Sequence, residues 1–432
     1  MKAGRGTRVV TVALALLVGL GPVPAALAGS KYVEAKLPKG EIPEHQRLDV
    51  AIDLFSPSID DYDRETLQEK GIQPSVRKAE SRFLATHLRN TLQSTGQWGV
   101  VRVMPGGVPW AELSIVGKIE KSNGKELKVR VHAWDATGKK WFDESYKRKA
   151  KVLSYAAEQV DGLDPFQSLY NEIANDLVDK RKKIKKKDLV RIRDVARLRF
   201  AAEFAPDAFG PYLQSDKKGR YKVKRLPDES DPMLGRLALV QDRDDMFVDT
   251  LNEYYSDFYA RMGKPYDDWR ANSYTEQAAY DSLNNAGRWK KILGIGLIAA
   301  GIFAPGGGRG SSDARTIAMI GGTALAKAGF ENSAESKIHK AALEELAESF
   351  GADVSQLIVD VDGKVVELKG SAEAQFQQWR QLLRDIVFTE ESLPGDINVT
   401  TVPAPPAEDP APTPPLPAEA ADPETVASPQ KS

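Results

Sequence analysis

Two strand-like stretches, Ala111 to Ile119 and Leu127 to Trp134, flank Asn123-Gly124. An Asn-Gly pair between strands is the strongest short-range signal for an antiparallel hairpin, so the chain must build a sheet around it. Upstream, Leu48, Val50, Ile52 and Leu54 alternate with Asp49, Ala51 and Asp53, the two-residue period of a half-buried strand. Phe83, Leu84, His87, Leu88 and Leu92 recur at three- and four-residue steps and predict a helix over 76–92. Gly96 ends it, and 98–104 is the next strand. Thr137-Gly138 turns into a last stretch of strand through Trp141 and Phe142. The expected class is α+β, with an N-terminal β-α-β-β-β-α domain over 45–187. A long helix follows from about Pro165 and runs on to Phe204.

Four of these stretches carry a resemblance: the opening apolar strand, Leu92 to Val100 (L-x-x-T-G-x-W-x-V), Ala111 to Ile119 (A-E-L-S-I-V-G-K-I) and Trp134 to Trp141 (W-D-A-T-G-K-K-W). They resemble the α/β domain shared by the TolB amino-terminal domain, the curli-secretion lipoprotein and the lipoprotein activators of penicillin-binding proteins. The match covers about a quarter of the chain, and its motifs are turns and edge positions. The resemblance implies a periplasmic protein-interaction domain. The membrane-crossing strands of the curli pore have no counterpart here, so a secretion channel does not follow.

At 432 residues the chain is long enough for two or three domains. Residues 188–290 read as a helical region. Phe247, Leu251, Tyr254, Tyr255, Phe258, Tyr259 and Met262 form one face, Asp244, Asp245, Asp249, Glu253 and Asp257 lie mostly on the other, and Pro265 opens a further helix. Over 291–330 an apolar hairpin is expected, with small residues at Gly294, Gly296, Ala300 and Gly301 in one arm and Ala318, Gly322 and Ala326 in the other. Such faces let helix backbones approach closely, and the segment resembles the glycine-zipper hairpins of several outer-membrane-associated proteins. Membrane insertion or self-association is one reading and a buried core hairpin the other, since each arm is short for a bilayer. Over 331–390 the pattern is α-β-β-α. Its V-x-V-D-G-x-V-x-L-x-G-S run looks like the hairpin of BON domains, envelope modules associated with phospholipid surfaces. The Pro-rich stretch 394–432 is expected to be a disordered tail.

The first residues read as an address. Lys2, Arg5 and Arg8 precede the apolar run Val9 to Leu20, and Ala26-Leu27-Ala28 supplies the A-x-A site. This is the plan of a secretory signal peptide over 1–28, with Ala26 and Ala28 setting cleavage. Ser30 stands where a lipobox has cysteine, and the chain contains no cysteine at all. Thioether lipids, disulfides, thiolate catalysis and Cys-ligated zinc are thereby excluded.

Chemistry finds little to work with. The four histidines, His45, His87, His132 and His339, are widely separated. Ser75 to Lys78 and Ser215 to Lys218 match S-x-x-K without the S-D-N or K-T-G partners of penicillin-recognising enzymes. Glu348-Ser349 echoes lytic transglycosylases without the rest of their pattern. Gly306 to Gly310 lacks the G-K-[ST] ending of a phosphate loop, and the acids from Asp244 to Asp257 fit no calcium loop and read as a solvated helix face. No catalytic residue, metal ligand or cofactor is therefore assigned. The densest charge run is Lys180, Arg181, Lys182, Lys183, Lys185, Lys186 and Lys187, either a solvated helix face or a contact for lipid phosphate or anionic glycan. The resulting expectation is a non-enzymatic scaffold exported to the periplasm and associated with the outer membrane. Its partners are envelope proteins or a second copy, with membrane contact and no nucleic acid. The alternatives are a regulator of a peptidoglycan-synthesis or secretion machine and an envelope hydrolase.

Overall fold

Asn123-Gly124 turns as the sequence predicts. Gly124 takes φ 68° and the Asn123 side chain accepts the Glu126 N–H at 2.9 Å. Strands β3 (Leu113–Ser122) and β4 (Glu126–Asp135) pair antiparallel from Leu113↔Asp135 to Ser122↔Leu127. The computed structural model describes residues 32–70, 72–155, 163–284, 357–361, 364–388 and 397–401, and these are a mixture of helix and sheet, α+β. Residues 1–31, 285–356 and 402–432 lie outside the described residues, and with them the leader with Ala26 and Ala28, the 291–330 hairpin, the first helix of the 331–390 module and most of the 394–432 tail.

The hairpin grows into a five-stranded sheet of order β2-β1-β3-β4-β5, with β1 at Val50–Ile52, β2 at Val101–Val103 and β5 at Lys140–Lys149. Strand β1 runs parallel to both its neighbours and the other pairings are antiparallel. Two expectations change here. Strand β1 is three residues long and buried throughout, because a central parallel strand is covered on both faces. The last stretch through Trp141 and Phe142 is a full strand, Lys140–Lys149, so the four stretches read after the helix are four strands, one more than the β-α-β-β-β-α order allows.

Helix α1 is Arg64–Glu69 and α2 is Pro74–Ser94. Helix α2 buries its apolar face against the sheet and its polar side under other helices. Glu80 pairs with Arg77 at 2.9 Å and accepts hydroxyls from Ser122 at 2.5 Å and Tyr266 at 2.7 Å. His87 sits between Tyr259 Oη at 2.7 Å and Gln167 Oε1 at 2.8 Å, and burial pushes its pKa down.

The single long helix expected from Pro165 is two helices, α3 (Gln167–Lys182) and α4 (Lys186–Phe204). At the break Lys185 is extended, with ψ 145°, and Ile184 packs against the core. One continuous helix would stack Lys180, Lys183 and Lys187 with Lys182 and Lys186 at three- and four-residue spacing, where like charges repel. A short helix α5 (Pro206–Phe209) and the small hairpin of β6 (Leu213–Ser215) and β7 (Tyr221–Val223) follow.

Helix α6 runs unbroken over Pro232–Asn284 with Pro265 inside it, so Pro265 does not open a new helix. An interior proline costs about 3 kcal/mol. Burial of Met262, Tyr266, Trp269 and Arg270 on either side holds the helix through it. Past the undescribed stretch come β8 (Leu357–Val361), β9 (Lys364–Leu368), α7 (Ala372–Phe388) and β10 (Ile397–Thr401). Strand β10 pairs with β8 in a sheet of order β10-β8-β9, so 397–401 are strand where a disordered tail is expected. Helix α7 is clasped to the rest: Trp379 stacks on Phe247 at 4.7 Å, and Glu373 holds Arg82 at 3.0 and 3.3 Å.

Helix α6 also closes the β2 edge of the sheet. Asn252 accepts the Val103 N–H at 2.8 Å and donates to its carbonyl at 3.0 Å, imitating a neighbouring strand. Arg89 fixes the Asn252 oxygen at 3.1 Å. Asn252→Ala leaves these buried groups unmet, and we expect a loss of about 2–4 kcal/mol in urea unfolding, against under about 0.5 kcal/mol for the exposed neighbour Glu253→Ala. Equal midpoints for the two variants would contradict the edge-closing role.

Candidate partner-binding groove

Strand β5 forms the opposite edge. It pairs with β4 from Glu126↔Lys149 to Trp134↔Lys140, and no strand joins its other side among the described residues. A register shift between Ala133 and Trp134 accompanies the burial of Trp141, whose indole N–H donates to Asp135 at 2.9 Å. Helix α3 lies over the inner face of β5. The Tyr146 hydroxyl donates to Asp176 at 2.9 Å and Arg148 pairs with Glu172 at 2.7 Å. Burial and the Asp176 carboxylate push the Tyr146 phenol up, so it stays a donor. Between strand and helix runs an open groove of about 690 Å³, walled by Trp141, Phe142, Glu144 and Tyr146 on one side and Asp176, Asp179, Lys180 and Lys183 on the other.

A free strand of this length offers unpaired N–H and C=O groups to any extended segment. Its alternating charges (Lys140, Asp143, Glu144, Lys147, Arg148 and Lys149) discourage indiscriminate pairing, while the groove admits a segment whose side chains suit both walls.

On another side of α3 an extended polypeptide is already bound. Residues 32–37 lie along the helix, read through their backbone by amides and a hydroxyl. The Val33 N–H donates to Ser168 at 3.1 Å and its carbonyl accepts from Asn171 at 2.8 Å. Asn175 spans two residues, donating to the Glu34 carbonyl at 2.8 Å and accepting the Lys36 N–H at 2.7 Å. Gln97 donates to the Lys36 carbonyl at 2.9 Å. Lys36 Nζ ends on Asp179 at 2.6 Å, a groove wall whose pKa this contact lowers. Ser168, Asn171 and Asn175 recur at three- and four-residue spacing, so a single helix face presents all three. The spacing is legible in the sequence, but nothing in it says that a backbone lies there.

The sequence-predicted residues scatter. Of the basic run, Lys182, Lys183, Lys185, Lys186 and Lys187 are exposed and Lys180 is half-buried. Arg181 is buried and leaves the patch. Its guanidinium donates to the Gln97 carbonyl and to Gln97 Oε1 at 2.6 Å, and it lies 5.1 Å from the Trp98 ring. Arg181 falls in register with the buried Ala174, Leu177 and Val178, a signal the sequence does carry. The acidic series is not one solvated face. Asp244 is buried against Trp379 Nε1 at 3.0 Å and Arg380 at 3.1 Å, and Asp245 and Asp249 grip Arg102 at 3.0 and 2.7 Å. Burial pushes Asp245 up to about 6 against the pull of Arg102. Ser75 and Lys78 lie in the first turns of α2, while Ser215 is on a strand and Lys218 in the turn after it. Among the described residues no group of three or more His, Asp or Glu is placed to hold a metal ion, and no helix is long and apolar enough to cross a membrane. Glu348, Gly306 to Gly310, Gly294, Gly296, Ala300, Gly301, Ala318, Gly322 and Ala326 lie outside the described residues. Compared with known proteins, the chain matches no family model, no curated protein and no solved structure.

Asn175→Ala removes two of the hydrogen bonds that hold the arm. We expect hydrogen exchange of the Lys36 amide to rise about tenfold or more, from about 1.4 kcal/mol of lost protection, with the β3–β4 amides unchanged. Unchanged exchange at Lys36 would show that the arm is held by something else.

Proposed function

We propose that this chain is a non-enzymatic interaction scaffold of the cell envelope, exported to the periplasm and engaging a protein partner along the free edge of β5. The observation that carries the reading is the asymmetry of the sheet. Asn252 closes the β2 edge, whereas β5 is left open beside the groove under α3. The basic, apolar and A-x-A pattern of residues 1–28 supports export.

The N-terminal α/β domain is read as one of the TolB-amino-terminal, curli-secretion and penicillin-binding-protein-activator kind. The residues behind that resemblance serve the fold. Leu92 and Trp98 are buried, Gly96 and Gly138 take positive φ, and Asp135 receives both the Thr137 hydroxyl at 2.5 Å and the Trp141 indole. Motifs with structural duties suit a binding domain better than an enzyme. Three buried acids also have structural partners: Glu80, Asp164 and Asp244 each face an arginine. The apolar hairpin at 291–330 is the proposed element for membrane contact or self-association.

A photo-crosslinking residue at Ser145, exposed on β5, should give a discrete adduct with an envelope protein in intact cells, while the same residue at exposed Glu229 gives none. Identical adduct patterns from the two positions, or adducts confined to cytosolic proteins, would contradict the proposal.

A further inference from the structure

Two turns far apart in sequence meet backbone to backbone. Gly138, in the β4–β5 turn, and Gly219, in the β6–β7 turn, have φ 76° and 70°. A Cβ on Gly138 would sit 2.5 Å from the Gly219 carbonyl oxygen, so the approach requires glycine there. The contact is clamped from several directions. The Tyr221 N–H donates to the Thr137 carbonyl at 2.8 Å. Arg199 of α4 donates to the Ala136 carbonyl at 2.8 Å while lying over the Tyr221 ring at 4.2 Å. The two turns therefore move as one body.

Cations crown this joint. Lys139 and Lys140 come from one turn, and Lys217, Lys218, Arg220 and Lys222 from the other, all exposed. Asp216 lies among them, and its carboxylate is committed to its own turn, accepting the Lys218 and Arg220 N–H groups at 2.8 and 3.0 Å and the Arg220 guanidinium at 2.7 Å, while Asp143 on β5 feels Lys140. The lysines form no ion pair among the described residues. On a chain whose net charge is −1, such a concentration is a strong local asymmetry.

We propose that the paired β4–β5 and β6–β7 turns form a rigid cationic platform that docks on the anionic phospholipid headgroups of a bilayer. The inference rests on the envelope reading above, which places the chain beside a bilayer. The shape favours a flat surface over a strand of nucleic acid, since the charges stand on turn tips and do not line a cleft. The nearby rings are also taken, Tyr221 by Arg199 and Tyr212 by Arg225 at 4.8 Å, leaving no stacking platform for bases. Lysines are mobile point charges suited to a diffuse array of phosphates, where a folded acidic partner would select forked arginines.

The test is co-sedimentation of the purified full chain with phosphatidylcholine vesicles with and without phosphatidylglycerol. The chain should sediment only with phosphatidylglycerol vesicles and be released by high salt. Each lysine contributes about fivefold to partitioning, so K139Q/K140Q/K217Q/K218Q should lose about several hundredfold with an unchanged melting curve. The matched control K182Q/K183Q/K186Q/K187Q removes the same charge elsewhere and should lose far less. Equal loss in both variants, no sedimentation with phosphatidylglycerol, equal binding to neutral vesicles, or tighter binding of oligothymidine would each overturn the platform. The envelope reading is judged separately, by the partners crosslinked from β5, so it survives a failure here.

Discussion

Helix α6 must bury charged and amide side chains along much of its length, and each reaches a different part of the chain. Asp244 meets Arg380 and Trp379 of α7, Asn252 meets the backbone of β2, and Tyr266 meets Glu80 of α2. Arg270, fully buried, pairs with Asp164 at 2.8 Å and lies 4.3 Å from the Tyr266 ring. Taking such charges out of water costs several kcal/mol, which partners recover only in good geometry. These contacts therefore act mainly by excluding alternatives. If α6 slid by one residue, an arginine or an aspartate would be left buried without its counter-charge.

That constraint decides what remains available to the outside. With α6 along β2, the sheet keeps one open edge, at β5. With α7 clasped to α6, the C-terminal elements are carried by the same frame as the N-terminal sheet. Helix α3, packed over β5, presents two further sides: one binds residues 32–37 through their backbone, and the other walls the groove. The cationic turns project from the end of β4 and β5, so the groove and the platform are built on the same strand.

The local part of this was legible in the sequence. Asn123-Gly124, the spacing of α2, and Gly96 and Gly138 each act through near neighbours, and each forms the predicted feature. The misreadings share a cause. Pro265 looks like a helix start because the pattern does not reveal that Tyr266 will be buried against Glu80 of α2 and Arg270 against Asp164, just before α3. Asp244 looks like part of a solvated face because its partners lie 135 and 136 residues away. The break at Lys183–Lys185 was foreshadowed by the like charges it separates, but the apolar period runs straight through it. The β5 groove had no signature, because an unpaired edge is visible only once the other strands are in place.

The account turns on the chain working outside the cytosol, since the partner assigned to the open edge is an envelope protein. The most direct check is mass spectrometry of the N-terminal peptide after cell fractionation. The prediction is a chain beginning at Gly29 in the envelope or periplasmic fraction, three residues before the first hydrogen-bonded arm residue, Tyr32. A chain still carrying Met1 and recovered with the soluble cytosolic proteins would contradict it.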